Sequence, residues 1–318
     1  MKNDEKKPKS RRDFLRLGLM VGGGIAGAGM LSSCGTDEVI SSNCKKVKVL
    51  TPEGKLVEVD ACNMKEMDAS ISEKEVREGM PGKKFTMVID LAKCKNARKC
   101  VEGCQKEHDL APKDEWLKVY LMKDSEEEAY YWFPKPCFHC DSPPCVNVCP
   151  VGATFKRQDG IVLIDNNACI GCKFCMAACP YSSRVFNWAE REQDKKHADA
   201  FNPEAGVQHQ VGTVGKCDFC PDMAKMGVLP SCVTSCPNGV IYYGDINEDM
   251  VTNGVETLRF REVLKERAGF RYMEELGTRP SVYYLPPVNR QFPVERGFDG
   301  LEEEVSERYK NERVHIIK

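Results

Sequence analysis

The feature that most constrains this 318-residue chain is the placing of its 18 cysteines. Fifteen fall into four groups with related internal spacing. The clearest reads Cys169-x2-Cys172-x2-Cys175-x3-Cys179-Pro180. Cys137-x2-Cys140-x4-Cys145-x3-Cys149-Pro150 has the same pattern with a longer central gap. Cys217-x2-Cys220-x11-Cys232-x3-Cys236-Pro237 has a loop inserted in that gap. The first group along the chain, Cys94-x2-Ala97-x2-Cys100-x3-Cys104, has Ala97 at a cysteine position and Gln105 where proline usually follows. Eighteen cysteines are too few per residue for a small disulfide-stapled fold. The 46 basic and 48 acidic residues nearly cancel, which argues against nucleic acid as a partner held by phosphate attraction. Apart from one segment near the start, no stretch has the roughly 18 apolar residues that span a bilayer.

This spacing suits iron–sulfur chemistry. In a C-x2-C-x2-C-x3-C-P run the first three thiolates hold one [4Fe–4S] cluster and the fourth reaches a second. Three ligands in a tight loop wrap the cube, with backbone N–H groups pointing at its sulfides. The proline after the fourth cysteine stops a short helix and turns the chain away. Paired C-x2-C knuckles also hold tetrahedral zinc, but a zinc site needs two pairs of ligands and does not call for this run.

Residues 1–33 read as an export signal. Ser10-Arg11-Arg12-Asp13-Phe14-Leu15-Arg16 resembles the twin-arginine pattern, and a mild, glycine-rich apolar run follows from Leu17 to Leu31. Leu31-Ser32-Ser33-Cys34 resembles a lipobox, so Cys34 is the expected lipidation site; the alternative is an ordinary cleavage site beside a chance cysteine. Gly22-x-Gly24-x-x-Gly27 follows no strand and is not a dinucleotide site. The signal carries 7 basic and 3 acidic residues, so its removal leaves 39 basic against 45 acidic, a net of −6. The route exports folded protein, often with its cofactor inserted, which argues against a disulfide framework. In the N-terminal segment 34–81, Lys46-Val47-Lys48-Val49-Leu50 and Leu56-Val57-Glu58-Val59 flank a Pro/Gly turn and predict a β-hairpin. Its register sets Val49 against Val57, Lys48 against Glu58 and Val47 against Val59. Extended, that register puts Cys44 opposite Cys62, either as a cross-strand disulfide or as two free thiols beyond a frayed end.

From about Lys84 to Pro287 the chain resembles the four-cluster ferredoxin-like electron-transfer subunits of respiratory molybdopterin enzymes and some hydrogenases. Relatives include the iron–sulfur subunits of dimethyl sulfoxide, polysulfide, tetrathionate and formate-type enzymes. Besides the cysteine groups, the resemblance rests on Met87-Val88-Ile89-Asp90, Pro180-Tyr181, Phe186-Asn187-Trp188, Gly244-Asp245 and the closing segment Glu275 to Leu285. It implies a ligand pairing. Cys137, Cys140 and Cys145 would share a cluster with Cys179; Cys169, Cys172 and Cys175 with Cys149; and Cys217, Cys220 and Cys232 with Cys104. Cys94, Cys100 and Cys236 would surround the remaining site, where Ala97 supplies no sulfur.

Three thiolates suit a [3Fe–4S] cluster, giving three [4Fe–4S] clusters and one [3Fe–4S] in all. The other readings of the Ala97 site are a [4Fe–4S] cluster with water or a side-chain ligand, or no cluster. Lys93, Lys95, Arg98 and Lys99 crowd the same loop, where positive charge would raise a cluster's potential, unless they are a solvated lysine-rich face. His139 lies inside the Cys137–Cys140 loop, as a supporting or an exposed residue. His108, His197, His209 and His315 show no metal-ligand spacing. Residues 255–268 have helix-like apolar spacing and are expected to pack on the core.

The expected fold is α+β: two ferredoxin-like dicluster units within a 4Fe-4S region at 82–250, one inserted in the other. The N-terminal β-hairpin precedes it, and a C-terminal extension with a charged docking tail, 251–318, follows. No nucleophile–base arrangement or phosphate loop appears, so the chain has no substrate chemistry of its own. The resemblance implies a relay of single electrons between a catalytic molybdopterin or hydrogenase subunit and a quinone-interacting membrane subunit. The expected place is the periplasmic, extracytoplasmic face of a membrane, held by a lipid on Cys34. The alternatives are a free-standing periplasmic carrier and a structural zinc-binding lipoprotein.

Overall fold

The computed structural model describes residues 46–50, 56–60, 72–111, 113–124, 129–188, 203–204, 210–288 and 315–316. The expectations for the signal, Cys34, Cys44, Cys62, His197 and His209 lie outside these residues, as does most of the tail. Among the described residues no helix is long and apolar enough to cross a membrane.

Strands β1 (Lys46–Leu50) and β2 (Leu56–Asp60) pair antiparallel, with Val47 opposite Val59, Lys48 opposite Glu58 and Val49 opposite Val57. Helix α1 (Glu73–Glu78) starts at a reciprocal cap: Glu75 N–H donates to the Ser72 hydroxyl, and Ser72 N–H donates to the Glu75 carboxylate. Strand β3 (Phe85–Asp90) follows, and all six of its residues are buried. Helix α2 (Lys99–Glu107) leads to the β4 (Lys118–Lys123) and β5 (Tyr131–Lys135) pair. Then come α3 (Pro144–Asn147), the β6 (Thr154–Lys156) and β7 (Val162–Ile164) hairpin, and α4 (Phe174–Ala177). The short strands β8 (Val185–Phe186) and β9 (Val214–Gly215) pair next, followed by helices α5 (Pro221–Lys225) and α6 (Ser231–Thr234). The chain returns through β10 (Ile241–Asp245), β11 (Met250–Thr252), β12 (Thr257–Arg259), α7 (Phe260–Glu266) and β13 (Val282–Leu285). In the tail, β14 (His315–Ile316) pairs in parallel with β4.

The main sheet has the order β12-β11-β10-β3-β13, with β3 antiparallel to β10 and parallel to β13. Side chains alternate across a strand, so each central strand feeds two cores. Phe85, Met87, Ile89, Ile241, Tyr243, Val282 and Tyr284 face a core that also holds Cys100, Cys104, Cys140, Cys217 and Cys232. Val88, Tyr242 and Leu285 face a smaller core closed by Phe260 and Val263 of α7. The sheet therefore covers one side of the cysteine-rich interior.

Three cysteine-bearing helices stop two residues short of a Cys-Pro pair: α3 before Cys149-Pro150, α4 before Cys179-Pro180 and α6 before Cys236-Pro237. At Cys104 the next residue is Gln105, and α2 runs on to Glu107. Proline disfavours helical backbone in the residue before it, and where it is missing the helix continues.

Residues 255–268 are not one helix. An Asn253-Gly254 turn, with Gly254 at φ 85°, folds Thr257–Arg259 back along β11 as a strand, and the helix begins only at Phe260. The sheet edge offers Thr257–Arg259 backbone partners that outweigh its weak helical pattern, and Val255 is left exposed.

Candidate iron–sulfur centres

Every cysteine loop bends through left-handed backbone at the same place. The residue before the second ligand position has positive φ in all four groups: Asn96 (61°), His139 (42°), Gly171 (69°) and Phe219 (67°). Such turns aim successive backbone N–H groups at one point and form an anion-binding concavity. At Gly171 a Cβ would meet the Gly212 carbonyl oxygen at 2.0 Å, so no larger residue fits. A second left-handed residue lies three positions beyond the last cysteine of each Cys-Pro group: Gly152 (63°), Ser182 (50°) and Gly239 (58°). The effect shows at Cys149. Burial pushes its thiol up, but the N–H groups of Thr154, Val151, Ala153 and Gly152 prevail and hold it below the usual value. Likewise, Val240 N–H donates to Cys236 Sγ at 3.4 Å.

The fifteen cysteines gather into four sets drawn from distant parts of the chain. Cys149, Cys169, Cys172 and Cys175 line one cavity, and Cys172 is exposed. Cys94, Cys100 and Cys236 line another, together with Ala97. Cys104, Cys217, Cys220 and Cys232 are all buried; burial pushes these thiols up, Cys217 to about 12, and repulsion from neighbouring cysteines and Asp218 adds to it. In the fourth set burial raises Cys140 to about 12 and also raises Cys179, with Cys137 and Cys145 adding to both.

The sets also adjoin one another in succession. Cys100, of the Ala97 set, acts on the thiols of Cys104 and Cys232. Cys137 acts on Cys217, and Cys145 acts on Cys175. The order is thus Ala97 set, buried Cys104 set, Cys140 set and surface Cys172 set.

Two buried cations test whether these sets fit anionic clusters. Arg184 and Lys216 are 5% and 3% exposed, and neither has a carboxylate partner among the described residues. Burial opposes charge on Arg184, but Cys145, Cys175 and Cys137 outweigh it and hold the guanidinium charged. Lys216 Nζ donates to the Cys217 carbonyl at 2.8 Å and to the Val162 carbonyl. A buried charge without a counter-charge is costly, whereas an iron–sulfur cube on four thiolates supplies net negative charge at both places. Donor set, loop backbone and buried cations all fit such a group.

The basic loop around Ala97 behaves differently from the sequence-based expectation of a local positive field. Lys93 pairs with Glu256 at 2.7 Å, Arg98 with Glu115, and Lys99 with Glu102 at 2.6 Å. These carboxylates cancel most of the charge that would have raised a potential there. Glu256 and Glu115 come from distant segments, so the pairing has no local sequence signal. Arg184 and Lys216 also escaped sequence reasoning, because burial of one basic residue among many leaves no local pattern.

His139 is buried at 1% exposure rather than lying at the surface. Its ring stacks on Phe219 with centroids 3.8 Å apart, joining equivalent residues of the Cys137 and Cys217 loops. Val162 N–H donates to His139 Nδ1 at 2.9 Å, and Nε2 lies 3.0 Å from the Cys217 carbonyl oxygen. These partners require neutral imidazole with the proton on Nε2. Burial, with Lys216 and Lys156 nearby, lowers its pKa well below the usual value. Below about pH 6.5 the unfolded chain takes up a proton at His139 that the native state does not. Native stability therefore falls as pH drops, by up to about 1.4 kcal/mol per unit from this residue. A His139→Gln variant is expected to show a flatter stability profile between about pH 6.5 and 5, read by urea unfolding. His108 is also buried; its Nε2 lies 3.4 Å from Cys220 Sγ and 3.6 Å from an Asp218 carboxylate oxygen.

Residues 128–206 match the 4Fe-4S dicluster domain family. The chain is 35% identical to a subunit of the selenate reductase of Mesobacillus selenatarsenatis, across 90% of this chain and 100% of that one. It is 36% identical to the iron–sulfur cluster-binding subunit of menaquinone reductase of Nitratidesulfovibrio vulgaris, across 64% of this chain and 88% of that one. With a subunit of the tetrathionate reductase of Salmonella typhimurium it shares 35% identity, across 66% of this chain and 76% of that one.

Proposed function

Because the chain belongs to the family of iron–sulfur electron-transfer subunits of respiratory oxidoreductases, we propose that it relays single electrons between a catalytic subunit and a quinone-linked membrane subunit. Relatives named as selenate and tetrathionate reductase subunits favour a molybdopterin-type catalytic partner over a hydrogenase. The observation that carries the reading is the succession of four cysteine sets, with a fully buried set inside and an exposed cysteine at one end. Clusters bound there supply one-electron acceptance and release.

In this reading Cys137, Cys140, Cys145 and Cys179 hold one [4Fe–4S] cluster, and Cys149, Cys169, Cys172 and Cys175 hold a second. Cys104, Cys217, Cys220 and Cys232 hold the third. Cys94, Cys100 and Cys236 hold a [3Fe–4S] cluster at the open Ala97 corner. The chain's own work is electrostatic and steric. Arg184 and Lys216 favour the reduced state of the centres beside them, and the sheet keeps water from the buried set. At the Cys172 end, Ile170, Phe174 and Trp188 are 63%, 59% and 74% exposed, an apolar surface that supports docking of a partner subunit. The same reading treats the region 82–250 as two interleaved dicluster units preceded by a β-hairpin. It also takes residues 1–33 as a twin-arginine signal and Cys34 as the lipid anchor on the extracytoplasmic face.

The test is anaerobic purification with iron and zinc analysis, an EPR-monitored redox titration, and identification of co-purifying subunits. About 15 irons per chain are expected, with a [3Fe–4S] signal on oxidation and a large catalytic partner. A colourless protein carrying stoichiometric zinc would overturn the reading. Iron in the same amount with no partner under any mild extraction would favour a free-standing carrier.

A further inference from the structure

The Ala97 site keeps the loop of a complete site. In the Cys169–Cys175 loop, Gly171 and Lys173 flank the second cysteine with φ of 69° and 62°; around Ala97, Asn96 and Arg98 have 61° and 52°. A non-glycine residue in that region is strained, so the surrounding structure must enforce it. Asparagine tolerates left-handed backbone well, which accounts for the residue type at 96. It does not account for where the side chain ends. Asn96 Oδ1 is buried and has no hydrogen-bond partner among the described residues. Asn96 lines the same cavity as Cys94, Ala97, Cys100 and Cys236. Leaving a buried amide oxygen unpaired costs its desolvation, and a cation in the cavity would satisfy it. The methyl group of Ala97 leaves open the corner that a thiolate would fill.

We infer that the Asn96 side-chain oxygen is the ligand of a fourth, exchangeable iron at this centre. The inference rests on the reading that Cys94, Cys100 and Cys236 hold a cluster, and it specifies what completes that cluster. The balance is simple. A reduced, neutral three-iron core binds one ferrous ion and becomes a four-iron core of charge +2. The incoming iron exchanges its waters for three core sulfides and the Asn96 oxygen, and no further electron moves. A strong one-electron oxidant such as ferricyanide, itself reduced to ferrocyanide, takes the four-iron core to +3, which releases ferrous ion and leaves the oxidised three-iron core of charge +1. A neutral amide oxygen is a weaker, harder ligand than a thiolate, so this iron is the first to leave.

The experiment uses the full-length chain, reduced anaerobically with dithionite and titrated with ferrous ammonium sulfate. Bound iron is counted, and the [3Fe–4S] EPR signal is read after oxidation mild enough to take the neutral three-iron core to +1 while leaving the four-iron core at +2. The wild type is expected to take up about one iron per chain at this site and to lose the three-iron signal in step. Asn96→Gly keeps the left-handed backbone without the oxygen. Since even outer-shell partners change metal affinity by about 10–100-fold, Asn96→Gly is expected to weaken uptake by at least the lower figure. Asn96→Asp, with a charged oxygen, is expected to bind the iron more tightly than wild type. Equal uptake by wild type, Asn96→Gly and Asn96→Asp would overturn the inference while leaving the three-thiolate centre intact. Ala97→Cys separates the two failures. If it builds a stable four-iron centre while wild type shows no uptake, only the Asn96 assignment falls. If Ala97→Cys adds no iron and no variant shows a three-iron signal, the cluster reading of this site falls, and the Asn96 assignment with it.

Discussion

Replacing Cys232 by alanine is expected to remove at least one iron per chain, and all four where three thiolates do not retain the cluster, and to disturb the relay at its most enclosed point. Cys232 on α6 faces Cys104 on α2, and with Cys217 and Cys220 they form the set in which every cysteine is buried. The two helices are more than a hundred residues apart in sequence yet pack closely. A Cβ on Gly103 would meet the Ser235 hydroxyl at 2.3 Å, and Ser231 Oγ donates to Glu107 at 2.6 Å. A cluster across Cys104 and Cys232 staples this junction, and metal bound by the native state only is folding free energy. Its loss should lower the melting temperature by on the order of 10 °C or more, given roughly 2–4 °C per kcal/mol in a domain of this size. Iron analysis, calorimetry and turnover of the assembled complex would read the three consequences. Full iron content in Cys232→Ala would contradict the assignment.

Arg157→Met is expected to destabilise the chain by about 3–5 kcal/mol without removing a ligand. The guanidinium lies at the turn between β6 and β7, where its side chain and those of Asp159 and Glu204 are wholly buried. Arg157 Nε donates to both Asp159 carboxylate oxygens at 3.2 and 3.1 Å, and Nη1 donates to Glu204. Asp159 also accepts from the N–H groups of Met80 at 3.0 Å and Ile161 at 3.1 Å, so the ion pair pins the turn to the segment after α1. Without the guanidinium, buried Asp159 loses its ion pair with Arg157, while Glu204 keeps its pairing with Lys225. Arg157→Lys should lose less, because it keeps the charge but not the planar fork. Equilibrium urea unfolding with intact iron content would measure both. A loss below about 1 kcal/mol would mean that water or rearrangement compensates the buried acids.

Some of the fold could be read from one dimension and some could not. Cys-Pro pairs mark helix ends because proline acts on its immediate neighbour, and Gln105 marks the one place where a helix runs on. Thr257–Arg259 reads as helix and forms a strand, because its partner, β11, decides its conformation. His139 offers no clue along the chain that it stacks on Phe219, 80 positions away. The same distance problem hides the carboxylates that neutralise Lys93 and Arg98, and the lack of a carboxylate beside Arg184 among the described residues.

The sequence by itself determined the chemistry: thiol spacing sets which atoms can share one turn of chain, and the alanine at 97 sets where a sulfur is missing. Both are local facts of covalent geometry. Tertiary structure alone decided which sets adjoin, which of them reaches the surface, and, among the described residues, where positive charge is buried without a carboxylate and that the Asn96 oxygen lacks a partner. Those depend on burial and on contacts between segments far apart in the chain. Electrostatics and desolvation act through space, and no spacing along the chain records them.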